Sequence, residues 1–186
     1  MELFNAVREA LGDCKFIAED LGYLTEDVKA MMAEAGYPGM KILQFAFDTG
    51  EENVYLPFNY DTDNAVIYTG THDNDTTLGW YEKIEDWKKH FVSWYLREKS
   101  DVQVKGEGDE ILDAKAATSG LVELAQSSRC DTCIIPMQDY LLLGSDARLN
   151  VPGVAEGNWR WQMEEDAFNE KLAAAIREAT ARYERL

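Results

Sequence analysis

The stretch Ala65–Tyr81, AVIYTGTHDNDTTLGWY, decides how the rest of the chain is read. It opens with Ala65-Val66-Ile67-Tyr68, a short apolar run rich in β-branched and aromatic residues, which predicts a buried strand. The run breaks at Thr69-Gly70-Thr71 into His72, Asp73, Asn74 and Asp75. Barrels and open parallel sheets bind ligands just past the carboxyl ends of their strands, so acids and amides gathered there read as a site. A carboxylate beside an imidazole can grip sugar hydroxyls and stabilise positive charge as it develops. The plainer alternative is a polar turn in which Asp73 or Asp75 caps the next helix, and spacing alone leaves both open.

Working outward, strand and helix signals alternate, the pattern of a parallel α/β fold. Residues 2–12 predict a helix stopped by Gly12. Lys15–Ala18 predicts a short strand running into Glu19-Asp20-Leu21-Gly22, a second carboxylate at a strand end. A helix is expected from Thr25-Glu26-Asp27, with Val28, Met31, Met32 and Ala35 as its apolar stripe and Gly36 as its stop. Pro38-Gly39 reads as a turn and Met40–Ala46 as a further strand. Asp48–Asp63 is a loop long enough to be functional.

On the other side, Glu82–Lys99 predicts one helix with Ile84, Trp87, Phe91, Trp94 and Tyr95 along one side. An aromatic stripe at that spacing reads as core packing. Ser100–Gly108 is a polar connection, Asp109–Ser127 a helix, and Thr132–Met137 the last strand, with Gln138-Asp139 at its carboxyl end. Ser145–Trp161 is a loop carrying Asn150, Trp159 and Trp161; the tryptophans could stack on sugars or cap the core, with a structural role favoured. Gln162–Leu186 reads as a terminal amphipathic helix. With no internal repeat or linker, residues 1–186 are expected to form a single domain.

The chain has 186 residues, too few for a whole (β/α)8 barrel of about 250. Eighteen Lys and Arg against 35 Asp and Glu give a formal net charge of -17, which repels phosphate backbones and argues against nucleic acid. No apolar run approaches the ~18 residues of a membrane span, and the opening pattern is not a signal peptide, so no membrane partner and a cytoplasmic location are expected. Cys14, Cys130 and Cys133 are an odd set, which disfavours a disulfide framework. Cys130 and Cys133 form a lone CxxC whose second thiol enters an apolar strand, so structural cysteines are expected over zinc or redox chemistry.

Several segments resemble the 4-α-glucanotransferases of glycoside hydrolase family 77, the amylomaltases or disproportionating enzymes related to the α-amylases. They are IAEDLG (17–22), PGMKILQFAF (38–47), YLPFNY (55–60), YTGTHDNDTTLGWY (68–81) and GNWRW (157–161), in matching order and spacing. The resemblance implies part of a (β/α)8 TIM barrel, approximately strands five to eight with their helices. It implies an enzyme that transfers α-1,4-glucan segments between maltooligosaccharides with retention. Glu19 matches the general acid/base, a dual role that favours a pKa raised by neighbouring carboxylates and partial burial. Asp73 matches the acid that distorts the donor sugar and stabilises an oxocarbenium-like state, and His72 the imidazole that binds the same sugar. Asn74 and Asp75 would line the acceptor side; Tyr55, Asn59, Tyr60 and the Ser145–Asn150 loop look like outer subsites. Phe58 stands where family members often carry His.

The resemblance implies no metal or organic cofactor, because carboxylates suffice. It also exposes a gap. The family's nucleophile is an aspartate in an Arg-x-Asp-His segment, and the 186 residues contain no such segment. The chain is therefore expected to correspond to the C-terminal half of the catalytic barrel and to be inactive alone. It is expected to self-associate as a homo-oligomer through an exposed half-barrel face. A non-catalytic α-glucan-binding module is the alternative.

Overall fold

The computed structural model describes residues 1–12, 14–106 and 110–186. Its frame is a parallel three-stranded sheet in the order β1 (Gly39–Ile42), β2 (Ala65–Tyr68) and β3 (Thr132–Ile134). β2 coincides with the apolar run that the sequence singles out. It pairs Met40 with Val66 and Ile42 with Tyr68 on one side, and Val66 with Thr132 and Tyr68 with Ile134 on the other. Side chains alternate across a sheet, so register sorts them onto two faces. Ala65 and Ile67 enter the main hydrophobic cluster, and Cys133 packs against it. Met40, Tyr68 and Ile134, on the opposite face, line a cavity.

Helices supply the cover. α1 (Glu2–Leu11) and α2 (Glu26–Ala35) precede the sheet, and each ends at the glycine the sequence marks, Gly12 and Gly36, both at positive φ. Between β2 and β3 run α3 (Thr77–Lys83), α4 (Asp86–Glu98) and α5 (Ala114–Ser127). A single-turn α6 (Met137–Tyr140) and α7 (Glu170–Arg182) follow. The centre of the cluster is Phe47, edge-on to Phe91 at 5.6 Å and to Tyr95 at 5.8 Å between ring centroids. Of the aromatic stripe, Tyr95 is buried and Ile84, Phe91 and Trp94 pack on the cluster, whereas Trp87 is 51% exposed.

Several elements differ from their sequence reading. Lys15–Ala18 forms no strand; its one ladder-like contact is the Ala18 N–H donating to Pro38 O. The Asp20 carboxylate takes the Met40 N–H instead, so a side chain satisfies the donor that a fourth strand would use. The strand expected over Met40–Ala46 stops at Ile42 because Leu43–Phe45 winds into a 3-10 turn. The single helix expected over Glu82–Lys99 is two, with Ile84 and Glu85 extended between them. Thr76 starts the first by accepting a hydrogen bond from the Gly79 N–H. Asp113, not a residue near 109, caps α5 with bonds from the Lys115 and Ala116 N–H groups; Gly108 and Asp109 lie outside the described residues. β3 ends at Ile134, two residues before Pro136, which has no N–H to give. The terminal helix starts only at Glu170, where the Asn169 side chain accepts from the Leu172 N–H.

Candidate active site

Glu19 and Asp73 line one cavity of about 640 Å³ on the face of the sheet opposite the main hydrophobic cluster. His72 and Asn74 line it as well, with Met40, Tyr68, Ile134, Pro136 and Gln138 among its walls. The two carboxylates predicted from strand-end positions thus reach a common space. Glu19 itself is exposed, not partly buried as expected for a proton donor tuned by its surroundings.

Local structure explains how Glu19 gets there. Its neighbour Asp20 turns inward and accepts the Met40 N–H at 2.7 Å. That contact needs Gly39: a Cβ there would sit 2.3 Å from Asp20 Oδ2. Asp20 therefore anchors the segment to the start of β1, and Glu19 is left to project.

The 70–76 loop is fastened at both ends by one buried carboxylate. Asp139, 2% exposed, accepts from the Thr69 hydroxyl at 2.5 Å, the Thr77 N–H at 2.8 Å and the Thr77 hydroxyl at 2.7 Å. Burial raises its pKa above the usual carboxylate range, against the opposing effect of those hydrogen bonds. Within the loop, Asn74 Oδ1 accepts from both the N–H and the hydroxyl of Thr71. Gly70 lies against Gln44, whose Nε2 would be 2.5 Å from any Cβ placed there. Gln44 in turn donates to Asp75 O.

A second strap crosses from the 145–159 loop. Asn150 Nδ2 donates to Asp73 Oδ1 at 2.5 Å, and the Asn150 N–H to His72 O at 3.2 Å. Arg148 bridges the Asp73 and Asn150 carbonyls. Asp73 Oδ1 also lies 3.4 Å from His72 Nε2, and the side chains of both residues are about half exposed. One carboxylate oxygen of Asp73 is thereby engaged by protein groups on a side chain that remains open to the cavity.

The other expected site residues lie elsewhere. The Asp75 carboxylate is 9% exposed and bound by Lys83 Nζ at 2.6 Å and Ser145 Oγ at 2.8 Å, so it clamps α3 to the later loop. Tyr60 is a core residue whose hydroxyl donates to Tyr55 O. Asn59 donates to the Glu51 and Asn53 carbonyls and stiffens its own loop. Tyr55 packs edge-on against Phe45, and burial followed by nearby Asp20 raises its pKa. None of these four lines the cavity. Phe58 is 82% exposed and away from it. Asp20 and Asp139 have no signal in the sequence beyond their nearness to predicted strand ends, and Arg148 none beyond its place in the 145–150 loop. In the CxxC, burial pushes the Cys133 thiol up to about 11 and raises Cys130 as well, the opposite of an activated thiolate.

Residues 1–168 match the profile of a family described as 4-alpha-glucanotransferase. The chain belongs to that family. It is 44% identical over 185 residues to a 4-alpha-glucanotransferase of Synechocystis, covering 99% of this chain and 34% of that protein. It is 40% identical over 186 residues to one of Thermus thermophilus, covering 100% and 36%. Its fold superposes with a TM-score of 0.85 and 35% identity on an amylomaltase from Streptococcus agalactiae in complex with acarbose, over 99% of this chain and 34% of that one. The chain spans about a third of the length of the curated relatives it matches. An α/β frame that forms part of a barrel, as expected from the sequence, agrees with these findings.

Proposed function

We propose that residues 1–186 supply the acid/base side of a 4-α-glucanotransferase barrel, its C-terminal half, acting with retention on α-1,4-glucans. The observation that carries this reading is the shared cavity of Glu19 and Asp73. Glu19, neutral, protonates the departing glucosyl oxygen; its anion then deprotonates the acceptor hydroxyl. Its exposure suits exchange with an incoming acceptor. Asp73, held by Asn150, binds the donor sugar through its less encumbered oxygen and stabilises positive charge at the anomeric carbon. His72 binds the same sugar and Asn74 shapes the loop. Retention requires a nucleophilic carboxylate about 5–5.5 Å from the acid/base, and these 186 residues carry no Arg-x-Asp-His segment to supply it. They are therefore a binding and proton-transfer half without a covalent step. Three free cysteines suit a reducing, cytoplasmic setting, and the charge of -17 disfavours nucleic acid.

Calorimetric titration with acarbose tests the reading. The chain is expected to bind it, with Asp73→Asn weakening binding on the order of tenfold, the loss of one charge-assisted hydrogen bond. Maltotriose incubated with the chain is expected to remain unconverted. No acarbose binding, or new longer oligosaccharides, would contradict the proposal.

A further inference from the structure

His72 is held in place by very little of its own. Its side chain is 56% exposed, and its nearest charged partner, Asp73 Oδ1, lies at 3.4 Å, long for a hydrogen bond. The second side-chain torsion of histidine is broad, so an imidazole with only this contact would sample many orientations. A sugar-binding imidazole needs one.

The ring also has an aromatic neighbour. The Trp159 indole lies 5.1 Å from the imidazole centroid at an interplanar angle of 41°. Trp159 has φ of 59°, a conformation that bulky side chains rarely adopt and that persists only when the surroundings over-determine it. Those surroundings are visible. The Trp159 N–H donates to Leu149 O at 2.7 Å, while the next residue, Asn150, donates its N–H to His72 O. The Leu149–Asn150 backbone therefore sits between the two aromatic residues and is bonded to both. Asn158 closes the intervening loop, accepting from the Val151 N–H at 2.9 Å and donating to Val154 O at 2.8 Å. The indole is 60% exposed, so core burial does not account for its placement.

We propose that Trp159 is the positioning residue for His72: the turn that forces its backbone into the left-handed region presses the indole against the imidazole and fixes the plane in which His72 meets the donor sugar. This rests on reading the cavity as a donor-sugar site. Trp159 need not touch the sugar; it removes orientational freedom from the group that does, and an aromatic pair of this geometry supplies the attraction.

The test is carbon–proton NMR of the histidine-labelled chain. There are two histidines, so His90→Gln assigns the signals. In the wild type the His72 ring protons are expected upfield, shielded by the indole. Trp159→Ala should move them toward the unfolded position while His90 stays. Acarbose affinity should fall roughly three- to tenfold with Trp159→Ala and recover most of that with Trp159→Phe, as expected for loss and return of one aromatic contact. A His72 signal indifferent to Trp159→Ala in a chain whose other signals are unchanged overturns the proposal. So does a displaced His72 with unchanged affinity. Should Trp159→Ala unfold the chain, Trp159→Phe decides: the smaller ring must shift His72 alone. A wild type that binds no acarbose, yet shows the shielded His72, sinks the functional reading and leaves the contact established.

Discussion

Asp139 shows how one side chain can matter to a site it does not enter. Its two oxygens accept three hydrogen bonds from Thr69 and Thr77, the residues on either side of the 70–76 loop. Asp139→Ala leaves those buried donors without an acceptor and is expected to cost about 2–4 kcal/mol in urea unfolding. Asp139→Asn keeps an acceptor for the Thr77 N–H and should cost less. The raised pKa sets a sign. Folding favours the protonated form of Asp139, so its contribution is fully present below the unfolded value near 3.9 and is lost as pH rises through the higher folded value. Stability of the wild type should therefore decline over that window relative to Asp139→Asn, and parallel urea curves across the range check it. Asp73 and His72 stood out in the sequence as an acid and an imidazole just past a buried strand, a pattern that by itself left a polar turn equally open; their suggested roles came from the family resemblance. Asp139 was legible only as a polar residue at a strand end; that it grips two threonines some 60 to 70 residues away depends on register, which no local pattern encodes.

At the scale of elements, side-chain bonds to backbone decide boundaries. β2 was readable to the residue because four apolar positions in a row leave no competing period. Lys15–Ala18 failed because apolar composition says nothing of what accepts from β1, and the Asp20 carboxylate takes the Met40 N–H. The break between α3 and α4 lies inside a run whose helical spacing continues across it, so periodicity could not reveal it. The end of α5 is served from a distance. Arg185, just past α7, donates to the carbonyls of Gln126, Ser128 and Cys130 at 2.5–2.9 Å. Charged hydrogen bonds of this kind satisfy the last carbonyls of a helix. Arg185→Met should lower unfolding free energy by about 1.5–3 kcal/mol and loosen β3, whose entry sits beside those carbonyls. Thermal melts together with amide exchange at Thr132–Ile134 would register both; an unchanged melt would remove Arg185 from this role.

At the scale of the molecule, the sheet has two open edges. β1 and β3 each pair on one side only, and Ile134 on the cavity face is 41% exposed. Unpaired edges and uncovered apolar faces favour association. The chain on its own is expected to sediment as a homo-oligomer, with a concentration-dependent distribution that acarbose, competing for the cavity face, shifts toward monomer; a sharp monomer boundary at every concentration would refute this. A parallel α/β frame was within reach of the sequence because strand and helix signals alternate; that it is part of a barrel was implied only by the family resemblance. The number of strands was not within reach: three form where four were expected, the fourth segment being attached through a single backbone bond and a carboxylate.

The way the 70–76 loop is fastened has a further implication. Its frame is set by Asp139, Gly70, Asn74 and Thr76, while His72 and Asp73 sit outward on it, half open to water. Exposed positions with few buried contacts contribute little to stability. The exposed pair and the frame that carries it are thus written in different residues. A lineage of such chains could lose His72 and Asp73 one by one and go on folding, so selection for a stable protein alone gives those two positions no shelter.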